Sequence, residues 1–93
     1  MDSIEPENQV GTENQVGVVT NYYTRIGVAV VELKNELTTG TTVKIAGGKA
    51  SLMQKVESIE IHHKKVEKAG PGTPIGLKVD EPVRKGDKIY YIV

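Results

Sequence analysis

Ile75-Gly76-Leu77-Lys78-Val79-Asp80-Glu81-Pro82-Val83-Arg84-Lys85-Gly86-Asp87-Lys88-Ile89-Tyr90 sets two β-type runs on either side of a segment broken by Pro82 and by a Gly86-Asp87 turn. The rest of the chain is made of the same material. It holds 13 Val and 8 Ile against 4 Leu and 4 Ala, and β-branched side chains are stiff at χ1 and suit pleated surfaces better than helices. The core is therefore expected to be mostly β.

Toward the N-terminus, Val16, Val18 and Val19, then Tyr22 and Tyr23, then Ile26 to Leu33 read as two antiparallel strands. Thr38-Thr39-Gly40-Thr41-Thr42 supplies a turn before a third strand, Val43 to Ala46, which Gly47-Gly48 ends. Lys88 to Val93 forms a last strand, whose pairing with an earlier one would spare the fold an apolar edge. Residues 51 to 70 fit two patterns. Val56, Ile59, His63, Val66 and Ala69 fall at helical spacing, with Ser51 and Gln54 as a capping box and Gly70 at the stop. Ile59 and Ile61, alternating with Glu60, fit a strand that Val56 joins through a bulge near Ser58.

The 93 residues make room for one domain, which buries only about 60 to 65% of its unfolded surface. With no Cys, neither disulfides nor thiolate metal sites reinforce it. Residues 1 to 14 are nearly all polar and predict a flexible acidic leader, ahead of a β domain over residues 15 to 93. Within the leader and the first strand, Glu7-Asn8-Gln9-Val10-Gly11 recurs as Glu13-Asn14-Gln15-Val16-Gly17. The repeat is too short for a solenoid. Lys plus Arg and Asp plus Glu each total 12, yet residues 1 to 24 carry four carboxylates and no base. The body therefore carries 12 − 8 = +4 charges. The polar start and the lack of a long apolar run predict a soluble, cytoplasmic chain without membrane contact.

Gln15 to Val19, Leu37 to Ile45, Val56 to Ile59, Val66 to Gly70 and Ile75 to Asp87 together resemble domain 2 of translation elongation factor Tu and its relatives, over about residues 15 to 93. The same residues are similar to the C-terminal barrel of the collagenase-like peptidase family. Val18-Val19-Thr20-Asn21-Tyr22, Ala29 to Leu37 and Gly40 carry that likeness. Both resemblances imply an all-β fold: a small, six-stranded, Greek-key-like closed barrel, here as a stand-alone module with a strand through about residue 63. Neither implies an enzyme. The phosphate-binding loop of translation GTPases has no counterpart, because Val43 stands where its first Gly would be and Ala50 replaces its hydroxyl residue. Nucleotide hydrolysis is thus not expected. The Arg-Gly-Thr-Val-Val-Thr-Gly-Arg element of the elongation factor is replaced by Val18 to Arg25.

Candidate chemistry is sparse. Gly70-Pro71-Gly72-Thr73-Pro74-Ile75-Gly76 has its third Gly one residue late for a dinucleotide loop and reads as a turn. His62 and His63, placed on a strand, would point to opposite faces and could not share a metal, so no metal or cofactor is expected. No nucleophile stands in a motif with a base. The remaining candidate is a basic surface of His62, His63, Lys64, Lys65 and Lys68, joined by Arg25 and by Arg84-Lys85, with Tyr22 and Tyr23 able to stack on bases. Glu60 and Glu67 flank that cluster, so a solvated loop of mixed charge accounts for it without any partner.

The leading expectation from the resemblance is a non-catalytic module binding RNA (tRNA or rRNA) or a protein of the translation or RNA-modification machinery. The alternative is a protein-docking subunit for a separately encoded peptidase-like enzyme, favoured by an exposed apolar patch rather than a basic stripe.

Overall fold

The computed structural model describes residues 14–47 and 50–92. The predicted leader through residue 13, the first copy of its short repeat and the Gly48-Lys49 pair lie outside them.

Ten strands follow in chain order: β1 (Gln15–Tyr23), β2 (Val28–Leu33), β3 (Leu37–Thr38), β4 (Thr42–Gly47), β5 (Ala50–Lys55), β6 (Ile59–Ile61), β7 (Lys64–Val66), β8 (Lys68–Ala69), β9 (Ile75–Lys78) and β10 (Lys88–Tyr91). Eight form one sheet in the order β5-β4-β10-β1-β2-β9-β6-β7, and β3 pairs with β8 beside it. Every pairing is antiparallel. Alternation explains the inner face: Val43 and Ile45 of β4, Ala29, Val31 and Leu33 of β2, and Ile75 and Leu77 of β9 all enter one core. In β1, a register shift between Gln15 and Gly17 lets Val16 and Val19 both point inward, three residues apart, and a second shift follows between Val19 and Asn21. Gly17 sits where a side chain has no room, since a Cβ there would lie 2.5 Å from the Glu32 carbonyl oxygen.

The all-β class holds, and the last strand takes a central place, ladder-bonded to both β1 and β4. The six-stranded closed barrel does not hold. Residues 51 to 70, read as a helix or as one bulged strand, contain most of β5 and all of β6, β7 and β8. Val56 and Ile59 are buried on either side of a break in the strand rather than on a helix face. Among the described residues no pairing joins β5 to β7, so backbone hydrogen bonds do not close the sheet.

A side chain bridges part of that gap. Gln54, 6% exposed, donates from Nε2 to the Lys78 carbonyl oxygen (3.0 Å) and accepts at Oε1 from the Asp80 backbone N–H (2.9 Å). Its amide thereby stands in for a peptide group, tying β5 to the chain leaving β9. Further stitching comes from Val56 N–H to the Thr41 oxygen and Gly40 N–H to the Val56 oxygen, both 2.8 Å, which fasten the end of β5 to the loop between β3 and β4.

Candidate docking groove

His62 and His63 do not lie on a strand, as the sequence suggested. Ile61 pairs directly with Lys64, leaving the two histidines as a two-residue hairpin turn with φ of 53° and 67°. Positive φ at both central residues is the pattern of type I′ turns, which Asn-Gly normally fills because other residues meet steric resistance there. The argument that the pair cannot share a metal by facing opposite sides of a strand therefore lapses. Among the described residues no group of three or more His, Asp or Glu side chains is placed to hold a metal ion.

The turn forms one end of an open groove on the outer face of the sheet. Register explains the groove. Val30 of β2, Gly76 of β9 and Glu60 of β6 lie side by side across three strands, so the middle position of an outer-face row has no side chain. Val28 and Val30 flank that gap, while Tyr23 and Ile26 rise from the β1–β2 connection and Pro74 borders it from the start of β9. The space amounts to about 260 Å³. Ile26 is 57% and Tyr23 49% exposed, which puts two of the large exposed apolar side chains of the described chain at one site. Gly76 does not owe its identity to backbone conformation, since it is not among the glycines with positive φ. Nor does crowding demand glycine strictly: a Cβ would meet Val28 Cγ1 at 3.3 Å, a contact that small shifts relieve. Glycine inside a strand commonly marks close approach by another backbone or a ligand.

The other candidate residues are dispersed. Tyr22 is half-buried, packed against the core. Arg25 is exposed in the β1–β2 turn, and Lys64 and Lys65 are exposed on β7. Lys65 lies opposite Glu60 in the β6–β7 ladder, and Lys68 pairs with Glu36 at 3.7 Å. Arg84 and Lys85 are exposed in the turn before β10, where the Arg84 N–H donates to Asp87 Oδ2 at 2.9 Å. Of the ten candidates, Tyr23, His62 and His63 converge on the groove. Sequence reading missed Ile26, Val28, Val30, Pro74 and Gly76. Away from the groove, Tyr91 donates its hydroxyl to the Glu36 backbone oxygen, and burial, with a smaller push from the Glu36 carboxylate, holds its pKa above the usual tyrosine value.

Residues 12–89 match the family described as peptidase family U32 C-terminal domain. The chain is 37% identical over 79 residues to an uncharacterized protease of Methanocaldococcus jannaschii, covering 84% of this chain and 19% of that protein. It is 40% identical over 77 residues to a collagenase of Porphyromonas gingivalis, covering 81% of this chain and 21% of that one. The chain thus spans about a fifth of the length of these curated relatives. The fold superposes on the C-terminal domain of a Geobacillus thermoleovorans protein assigned to the U32 peptidases with a TM-score of 0.82, at 22% identity over 88% of this chain and 96% of that one. The selenomethionine variant of that domain gives 0.78, at 23% identity over 82% and 96%.

These relatives overturn the leading expectation. A translation-factor-like module binding tRNA, rRNA or a protein of the translation or RNA-modification machinery is not what the kinship shows. Of the two resemblances, the peptidase one is supported. Within the basic surface, Lys65 lies across from Glu60, Lys68 pairs with Glu36, and Tyr22 is half-buried against the core. By its match over residues 12–89, the chain belongs to the peptidase family U32 C-terminal domains.

Proposed function

We propose that this domain is a non-catalytic docking module of a U32 peptidase, and that the groove over Gly76 is its contact with the catalytic portion of the enzyme. The observation that carries the reading is an outer-face apolar groove, with Ile26 and Tyr23 exposed beside it, on a domain that makes up about a fifth of relatives named as a protease and a collagenase. Exposed apolar side chains grouped around a gap serve as anchors for protein contact, where a few such residues supply most of the binding energy. The absence of any Cys also leaves no thiol nucleophile in this chain.

The test mixes the full chain with the separately produced catalytic portion of a U32 peptidase and follows association by sedimentation velocity. A complex is expected, weakened about tenfold or more by Ile26→Asp, which changes an exposed turn residue and spares the core. The chain alone is expected to leave gelatin and casein intact. No association, association indifferent to Ile26→Asp, or cleavage by the isolated chain would reject the proposal.

A further inference from the structure

Away from the groove, the outer face of β10, β4 and β5 carries a pattern of its own, independent of the docking reading. Register sets Gln15, Tyr90, Lys44 and Met53 in one row across β1, β10, β4 and β5. The next outward row on one side holds Lys88, Ala46 and Ser51, and on the other side Thr42 faces Lys55. Lys88, Lys44 and Lys55 therefore step diagonally across three adjacent strands, one from each, and all three are exposed. Diagonal neighbours on one face lie about 7 to 8 Å apart, which is within the Debye length of about 10 Å at 0.1 M salt. Each lysine thus feels the next.

Among the described residues no carboxylate occupies an outward position of these three strands. Carboxylates stand only at the margins. Asp87, just before Lys88, accepts from the Arg84 N–H at 2.9 Å, Glu32 has Val18 between it and Lys88, and Glu57 lies beyond the end of β5. Like charges set beside one another on a sheet destabilise it, and an anionic segment laid across them removes that repulsion.

The chain carries such a segment next to this face. Residues 1–13 hold Asp2, Glu5, Glu7 and Glu13 and no Lys or Arg. They join the sheet beside β10, where the Asn14 carbonyl oxygen accepts from the Tyr91 N–H at 2.8 Å and Gln15 is the β1 partner of Tyr90. From β1 to β5 is three strand spacings, about 14 Å, and the seven residues from Glu7 to Asn14 can span up to about 23 Å. Lys55, on the far strand, is therefore within reach of Glu7. Met53, 61% exposed, and the half-buried Tyr90 place apolar surface among the lysines, as Val10 stands midway between Glu7 and Glu13. A tethered segment meets its site at an effective concentration on the order of a millimolar, so a set of individually weak surface ion pairs suffices to hold it.

We propose that the lysine face of β10, β4 and β5 is the docking site of the chain's own acidic leader, residues 1–13, through pairing of its glutamates with Lys44, Lys55 and Lys88.

The chain has no Cys, so a nitroxide attached to Asn8→Cys is a single spin label in the full-length protein. Paramagnetic broadening of amide signals is expected to be several-fold stronger at Lys44, Met53, Lys55 and Tyr90 than at Glu32 and Leu33, which lie one strand from β1 on its other side. Replacing Glu5, Glu7 and Glu13 together by Gln should remove that difference, as should Lys44→Glu combined with Lys55→Glu. Raising the salt from about 0.01 M to about 1 M, which shortens the Debye length from about 30 Å to about 3 Å, should do the same. The glutamine variant alters no residue of the strands, so it decides the matter should the lysine variant not fold. Equal broadening on the two sides of β1, or broadening at the lysine face that ignores both charge and salt, would overturn the proposal. So would broadening that arises only when spin-labelled chain is mixed with isotope-labelled chain lacking the nitroxide, since the occupant would then be a second copy.

Discussion

Replacing Gln54 with Leu deletes the amide that links β5 to the chain leaving β9 while keeping a side chain of similar size in a 6%-exposed position. Two hydrogen bonds are lost, to the Lys78 oxygen at 3.0 Å and from the Asp80 N–H at 2.9 Å. A typical intramolecular hydrogen bond contributes about 0.5 to 1.5 kcal/mol net, and a polar group left buried without a partner costs about 1 to 3 kcal/mol. Lys78 and Asp80 are themselves exposed residues, so water reaches part of what the amide releases. The net contribution therefore applies rather than the full cost of a stranded polar group, and the two bonds together, at about 1 kcal/mol each, amount to about 2 kcal/mol. For a domain of this size each kcal/mol moves Tm by roughly 4 to 8 °C, which predicts a fall of about 8 to 16 °C. Urea titration followed by circular dichroism gives the free energy, and hydrogen exchange at the Asp80 amide gives the local effect. That amide should lose protection beyond the global change, because its acceptor is the deleted Oε1. Gln54→Glu separates the two bonds. It keeps an acceptor for the Asp80 N–H but turns an oxygen toward the Lys78 carbonyl, so it should be no more stable than the Leu variant. A Gln54→Leu protein within about 0.5 kcal/mol of the parent, with Asp80 still protected, would refute the idea that this side chain closes the gap left by the backbone ladders.

The histidine turn predicts a change of opposite sign. With φ of 53° and 67° at His62 and His63, replacement by Asn-Gly relieves steric resistance at both positions and should raise stability by on the order of 1 kcal/mol in urea titration; an unchanged midpoint would show that the turn is not strained. Tyr91 predicts a pH dependence. Burial first, and the Glu36 carboxylate second, raise its folded-state pKa, so the folded protein holds the phenol proton more tightly than the unfolded chain. The associated stability is fully present below the unfolded value of about 10 and is lost as pH rises through the folded value. Urea titrations across that window should show the decline in the parent and a flatter profile in Tyr91→Phe, and the same decline in both would reject Tyr91 as its source.

Period-two patterning made most of the strands legible. Val43 and Ile45, Ile75 and Leu77, and Ala29, Val31 and Leu33 alternate inward as the residues foretell. The segment from Ser51 to Gly70 resisted because its strands are only three and two residues long after β5, shorter than either period needs to declare itself. The turn that divides β6 from β7 carries His-His where hairpins usually carry Asn-Gly, so its punctuation was missing. Closure of a barrel was an inference from likeness, and no single-strand pattern shows which edges pair.

The groove was hidden by a different cause, and that cause also locates the signal. Ile26-Gly27-Val28-Ala29-Val30-Val31-Glu32-Leu33 is apolar at nearly every position. Read as a core strand, it spends all those residues on burial. An antiparallel strand whose outer face meets water needs only alternate ones, and here Ala29, Val31 and Leu33 fill the core while Val28 and Val30 remain for the outer face. Surplus apolar residues on the solvent side need a cover, and the outer-face neighbour of Val30 on β9 is Gly76, which supplies none. A sheet that carries Val on its wet face and withholds a side chain beside it leaves an apolar gap that folding alone does not fill. An excess of outer-face apolar residues facing a strand glycine is thus readable once the register is known, and the proposed docking role rests on it.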